Sequence, residues 1–209
     1  MKTRLAILLS ILQFISCNSI KNTELVKVPY VQERYLIITA DDYGASININ
    51  EGIKIAANKK AITAISVLTN FNESLSDLKK ISETHPEIGI GVHLNITTGK
   101  PILKAEEVPS LVNAHGNFYT IEELLPKIKS ISLNYLRKEL RAQILTLLKY
   151  DIRLDHLSDK HGILFLYSPF FDIVTELAKE FNVPVRSPVI ASVKYPNVFM
   201  NAQMKKRGR

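Results

Sequence analysis

The sequence lacks the features that mark several common protein classes. Its 209 residues contain one cysteine, Cys17, so the chain cannot form an internal disulfide. No glycine-rich phosphate loop of the G-x-G-x-x-G or G-x-x-x-x-G-K type follows a predicted strand, which argues against a nucleotide-binding fold. No G-x-S-x-G motif is present, so a hydrolase with a Ser/His/Asp triad is the weaker alternative.

The chain also lacks the charge pattern of a nucleic-acid-binding protein. Its net charge is +7, but part of the excess lies near the two ends, at Lys2 and Arg4 and within residues 205–209. Between the ends, lysine pairs such as Lys59 and Lys60 suit solvated helix faces, and no basic stretch is interleaved with aromatic residues. We therefore expect no nucleic-acid partner.

Residues 1–16 have the pattern of a lipoprotein signal peptide. A basic segment with Lys2 and Arg4 precedes an apolar run that is too short to span a bilayer comfortably. A small residue then precedes Cys17, as in the lipobox of bacterial lipoproteins, which it resembles. The resemblance implies cleavage before Cys17 and acylation of its sulfur. The alternative is an ordinary secretory peptide with an incidental cysteine.

Both interpretations of the N-terminus predict that the protein is exported. With a lipid on Cys17, it would be a cell-envelope lipoprotein that faces the periplasm or lies at the cell surface, with the membrane as a partner. Residues 17–33 are polar and irregular, which is typical of a linker between an anchor and a domain. The folded domain is predicted over residues 34–209.

Strand-like and helix-like segments alternate along the predicted domain. This order indicates an α/β fold with a (β/α) barrel-like parallel sheet, and an open doubly wound sheet is the alternative. A long loop with Pro and Gly residues covers residues 97–119. The predicted strands are residues 36–39, 62–69, 88–96, 153–157 and 183–188. The predicted helices are residues 48–60, 72–84, 121–131 and 133–149, and a last one that begins at Ser168 and Pro169 and ends near 181.

Polar side chains collect where the predicted strands end. Asp41 and Asp42 follow the first strand, His93 lies near the end of the third, and a histidine-containing segment follows the fourth. The carboxyl ends of parallel strands meet at one edge of a sheet, and catalytic groups collect there in barrels. We therefore expect these side chains to line one cleft. The alternative is that Asp41 or Asp42 only caps the helix that follows.

A carboxylate and two imidazoles at such an edge would make a three-ligand catalytic metal site. A metal ion there polarises a carbonyl and activates a bound water, and a second carboxylate can accept the proton of that water. This chemistry is that of a metal-assisted amide or ester hydrolase. Hydrolysis of phosphate esters by the same ligands ranks lower, because few basic residues lie near the motifs to hold a phosphate.

Three segments resemble the motifs of the YdjC/ChbG-like carbohydrate deacetylases: TADDYG at 39–44, GIGVHLNITTGKP at 89–101 and DHLSDKHG at 155–162. The similarity extends over about residues 34–190. The resemblance implies a (β/α) barrel-like fold and the removal of acetyl groups from N-acetylated oligosaccharides by amide hydrolysis. It also implies a divalent metal ion, magnesium or zinc, as cofactor.

The resemblance also implies roles for individual residues. Carried over by motif position, Asp41 is the catalytic base, and Asp42 and His93 are metal ligands. Arg186, in the fifth predicted strand, matches an arginine that orients the pair of acids.

The third motif departs from the family pattern. It commonly reads His-x-Asp-x-His, whereas an ungapped reading from His156 places Ser158 and Lys160 at the last two positions. Lys160 cannot act as a ligand while it is an ammonium. We therefore predict His161, one residue further on, as the third metal ligand, with His156 behind it.

Length is a second departure, because family members continue through further strands where this chain ends. We therefore expect the domain to be incomplete. The altered motif and the length favour an alternative function, that of a catalytically inactive glycan-binding lipoprotein with the same fold.

Overall fold

A computed structural model describes residues 35–71 and 75–186. Close contacts divide the chain into two units, Met1–Leu36 and Ile37–Arg209, and all elements named below belong to the second unit. The predicted signal peptide, Cys17 and nearly all of the predicted linker region lie outside the described residues.

A four-stranded parallel sheet, with the strand order β1-β2-β3-β4, forms the centre of the described fold. A single parallel bridge from Leu157 to Val185 places the last described residues beside β4. The connections between strands contain helices, so the carboxyl ends of all four strands lie at one edge. The predicted α/β fold with a parallel sheet is confirmed. The strands are Thr39–Tyr43 (β1), Ala64–Val67 (β2), Gly89–Leu94 (β3) and Leu157–Asp159 (β4).

Helices cover the sheet and close the core. Leu136, Leu140 and Ile144 of α4 are buried at helical spacing, and this helix packs on β3 and against α6. The helices are Ile47–Asn58 (α1), Leu75–Thr84 (α2), Ile121–Leu124 (α3), Leu133–Leu148 (α4), Ile163–Leu166 (α5) and Ser168–Glu180 (α6).

Three predicted elements differ from the structure. The first strand begins at Thr39, and Leu36 and Ile37, which precede it, are exposed. The fourth strand lies four residues later than predicted, at Leu157–Asp159 rather than from residue 153. The predicted helix over 121–131 changes after α3 into a 3-10 helix at Leu125–Ser130, where a proline cannot donate the N–H that an α-helix needs.

A buried carboxylate fastens the loop of residues 97–119 to α4. Glu139 has no exposed surface, and its two oxygens accept hydrogen bonds from the backbone N–H groups of Ile102 (2.9 Å) and Leu103 (3.0 Å). Gln143, one turn further on, donates to the same carboxylate at 2.9 Å. Burial raises the pKa of Glu139, although these hydrogen bonds act against the rise.

Substitution of Glu139 is expected to loosen this loop. Glu139→Ala leaves two backbone N–H groups without their acceptor, and each such group costs about 1–3 kcal/mol when it stays buried. We expect the free energy of unfolding, measured by urea denaturation, to fall by about 2–4 kcal/mol. The control is Glu83→Ala, which removes only an exposed pair with Lys79 and should change stability by less than about 1 kcal/mol. Equal effects of the two variants would contradict the role of Glu139.

Candidate active site

A bulge in β1 lets the neighbouring acids Asp41 and Asp42 both contact side chains from other parts of the sheet. The pairing of β1 with β2 shifts register between Ala40 and Tyr43, and Asp42 has a φ of 69°. Neighbouring side chains on a regular strand point to opposite faces, and a bulge re-aims them. The sequence placed Asp41 and Asp42 beyond the end of the strand. The structure places them inside it, at a bulge.

The turn after β1 is closed without the carboxylate groups of Asp41 and Asp42, although the Asp42 carbonyl accepts the Ala45 N–H at 3.0 Å. Gly44 has a φ of 104°, and its N–H donates to the Asn50 side chain at 2.7 Å. A Cβ on Gly44 would lie 2.9 Å from the Leu68 carbonyl oxygen, so the turn requires glycine. The N-cap of α1 is Ser46, whose hydroxyl accepts from the Ile49 N–H. The capping alternative for Asp41 and Asp42 is therefore wrong.

Asp41 forms a two-pronged ion pair with Arg186. The distances are 2.7 Å from Nη1 to Oδ1 and 3.0 Å from Nη2 to Oδ2. Burial raises the pKa of Asp41, but hydrogen bonds from Arg186 and Ser66 and the positive charge of Arg186 outweigh it, so the net pKa lies below the ordinary value. Asp41 is therefore an oriented carboxylate that stays ionised at neutral pH.

His93 lies on β3 with its ring almost entirely buried. Its Nδ1 is 2.8 Å from the Ser158 hydroxyl on β4, and its Nε2 is 3.5 Å from Asp42 Oδ1. Burial lowers the pKa of His93 to about 4, even though the charges of Asp41 and Asp42 raise it. The imidazole is therefore neutral at pH 7. The sequence did not assign Ser158 a contact, although its place in the third motif, opposite β3, was the available signal.

Lys160 adds a positive charge to the cluster of Asp41, Asp42 and His93. It is the first residue after β4, it is 8% exposed, and its Nζ lies 2.8 Å from Asp42 Oδ1. A buried ammonium is costly unless an anion compensates it. Asp42 is therefore the counter-ion of Lys160. The sequence showed that Lys160 cannot coordinate a metal but gave no sign of this ion pair.

His156 and His161 make their direct hydrogen bonds with side chains other than Asp42 and His93. His156 Nε2 is 3.2 Å from the Ser66 hydroxyl and its Nδ1 is 3.0 Å from Asp155. His161 Nδ1 is 3.0 Å from the Thr97 hydroxyl. In the described part of the chain, neither ring forms a direct hydrogen bond or ion pair with Asp42 or His93. Their roles as metal ligands stay predictions.

The donor set does not fit a divalent metal ion as it stands. Within residues 35–71 and 75–186, no group of three or more His, Cys, Asp or Glu side chains is arranged to hold a metal. Asp42 and His93 offer two donors, but the group bonded to Asp42 is an ammonium, which has no lone pair to give.

A pocket of about 670 Å³ opens among the loops that follow β1, β2 and β3. Gly44, Asn70, Phe71 and Lys100 are among its lining residues. The loops lie at the same edge of the sheet as the acids.

Comparison with known proteins identifies the family. The model of the YdjC-like protein family matches residues 35–208 of this chain. The chain belongs to this family. The resemblance seen in the three sequence motifs is therefore confirmed.

Several curated relatives are named carbohydrate deacetylase. The one from Brevibacillus brevis is 33% identical over 73% of this chain and 59% of its own length. The one from Oceanobacillus iheyensis is 36% identical over 71% of this chain and 63% of its own. This YdjC-like chain thus spans about three-fifths of the length of these relatives.

A solved structure shares the fold. A crystal structure of an Enterococcus faecalis protein, described as a cellobiose-phosphate cleavage protein, superposes with a TM-score of 0.65 and is 29% identical. The match covers 79% of this chain and 64% of the other.

Proposed function

We propose that this chain removes acetyl groups from N-acetylated amino-sugar glycans by hydrolysing the amide bond. The name of the relatives, carbohydrate deacetylase, supports this substrate class and this reaction. The observation that carries the proposal is the Asp41–Arg186 pair, which keeps an ionised carboxylate fixed beside the neutral ring of His93.

In this proposal Asp41 accepts the proton of the attacking water. Its lowered pKa keeps it unprotonated at neutral pH, and the two hydrogen bonds from Arg186 fix its orientation. The ammonium of Lys160 supplies positive charge beside the acids, where it can stabilise the oxyanion that forms when water adds to the amide carbonyl. The oxyanion then collapses, the C–N bond breaks, and the proton held by Asp41 passes to the leaving nitrogen, which gives acetate and the free amine. The family resemblance implies a metal ion, but the donors of Asp42 and His93 do not fit a divalent ion, so the proposed mechanism uses none.

Glycan binding without turnover is the second candidate. It is favoured by the Lys160–Asp42 ion pair, which commits one of the two acids to a side chain of the protein itself. The pocket of about 670 Å³ at the same edge of the sheet is lined by the Phe71 ring and the Lys100 side chain, an aromatic and a charged group that together suit a sugar.

One experiment separates the two candidates. The full-length chain is incubated with N-acetylglucosamine oligomers, and acetate release and heat of binding are measured on the same preparation. Acetate release supports the deacetylase. Binding without acetate supports the second candidate, and neither binding nor acetate contradicts both.

We also propose that the protein is an exported lipoprotein held to a membrane through Cys17. The support is the sequence pattern of residues 1–16, which lies outside the described residues. Among the helices in the described part of the chain, none has the length and apolar character needed to cross a membrane.

Cys17→Ala is expected either to release the protein from the detergent phase in a Triton X-114 partition experiment or to block its processing, which leaves a larger precursor on a gel. The variant has no sulfur to acylate, and stable anchoring needs the attached lipid. Thr23→Ala, in the predicted linker, is the matched control and should partition as the wild type does. Unchanged partitioning of Cys17→Ala, with no larger precursor, would rule out the lipid anchor.

A further inference from the structure

We propose that the Lys160 ammonium is the resident cation of this cleft and takes the place of a divalent metal ion. The inference concerns cation binding alone and does not depend on the proposed deacetylation. It goes against the metal cofactor that the family resemblance implies.

The position of Lys160 is the first argument. β4 pairs with β3 through His93 opposite Ser158 and Leu94 opposite Asp159, so the next residue emerges at the edge where β1 presents its acids. From there the Lys160 side chain reaches Asp42 Oδ1, the same oxygen that lies 3.5 Å from His93 Nε2. A metal ion held by Asp42 and His93 would have to occupy the neighbourhood of this ammonium.

Charge balance is the second argument. The two carboxylates of the site, Asp41 and Asp42, are matched one to one by the cations of Arg186 and Lys160. A divalent ion would add two positive charges beside these two balanced pairs, and it would compete with Lys160 for Asp42. Partly buried charges are poorly screened by solvent, so this repulsion counts against metal binding.

The missing third donor is the third argument. Both histidines that flank β4 are engaged with other side chains, His156 with Ser66 and Asp155, and His161 with Thr97. Catalytic zinc sites use three protein ligands. Asp42 and His93 alone do not complete such a set. The ungapped reading of the third motif places Lys160 where the family pattern has its second histidine.

The test is zinc binding to the full-length chain without a histidine tag, measured by equilibrium dialysis. We expect no stoichiometric zinc on the wild type. Lys160→His removes the ammonium and adds an imidazole, so zinc affinity should rise at least about 100-fold, since even changes outside the direct ligands alter metal affinity about 10–100-fold. Adding Asp42→Asn to Lys160→His should abolish this gain.

A second variant keeps the test decisive if Lys160→His does not fold. Lys160→Met removes the ammonium without adding a donor and should raise zinc affinity about tenfold by freeing Asp42 and His93. Circular dichroism checks that each variant is folded. The proposal is overturned if the wild type binds one equivalent of zinc that Asp42→Asn abolishes. It is also overturned if folded Lys160→His or Lys160→Met binds zinc no better than the wild type.

Discussion

Gly91→Ala is expected to destabilise the fold by about 3 kcal/mol or more, because it inserts a methyl group into a filled space between two strands. Gly91 lies in β3, and a Cβ there would sit 2.5 Å from His156 Nε2 and 2.6 Å from its Cδ2, with the His156 carbonyl oxygen also in the way. That carbonyl accepts the Val92 N–H in the ladder between the strands. The clash between the added methyl group and His156 can therefore be relieved only if the backbone of β3 moves away from that of His156 and β4.

The matched control is Gly52→Ala. Gly52 lies within α1, and a Cβ there meets no atom within 4 Å. Alanine is favoured over glycine inside a helix by about 0.5–1 kcal/mol, so this variant should be stabilised. Urea denaturation of both variants gives the comparison. If Gly91→Ala is as stable as the wild type, the close packing of β3 against His156 is wrong.

Asp41→Asn is expected to lower the rate of acetate release by about 10²–10⁴, the range for loss of a general base. The amide has the shape of the carboxylate but cannot accept the proton of the attacking water. Glycan affinity, measured by calorimetry, should stay within a few-fold, because the pocket formed by the neighbouring loops is unchanged. Separate measurements of turnover and of affinity thus distinguish the loss of a base from the loss of the site.

Asp151→Asn is the control for this charge change. Its side chain is fully exposed, and its φ of 55° suits asparagine. We expect wild-type acetate release from this variant. If Asp41→Asn also retains the wild-type rate, Asp41 is not the base, and its pair with Arg186 is structural.

Much of the architecture could be predicted, because strand-like segments that alternate with helix-like segments are typical of a parallel sheet. The sequence placed Asp41, Asp42 and His93 near strand ends, and the structure brings them together with Arg186. These positions follow from chain order alone, since every parallel strand delivers its carboxyl end to the same edge.

The remaining features depend on contacts that local patterns do not encode. The bulge at Asp42 arises where β1 pairs with β2, and the Lys160–Asp42 pair joins residues 118 positions apart. β4 has only three residues, too few for an alternating pattern to fix its ends. Its displacement from the predicted position carries Ser158 to His93 and Lys160 to Asp42.

One measurement tests both proposals: the rate of acetate release by the wild type in chelator-treated buffer, before and after zinc or magnesium is added. If Asp41 is the base and Lys160 is the resident cation, N-acetylglucosamine oligomers lose acetate at the same rate with and without added metal. Release that appears only when a divalent ion is supplied would contradict the role of Lys160. Binding of the oligomers with no release under any of these conditions would contradict the deacetylase and leave the glycan-binding function.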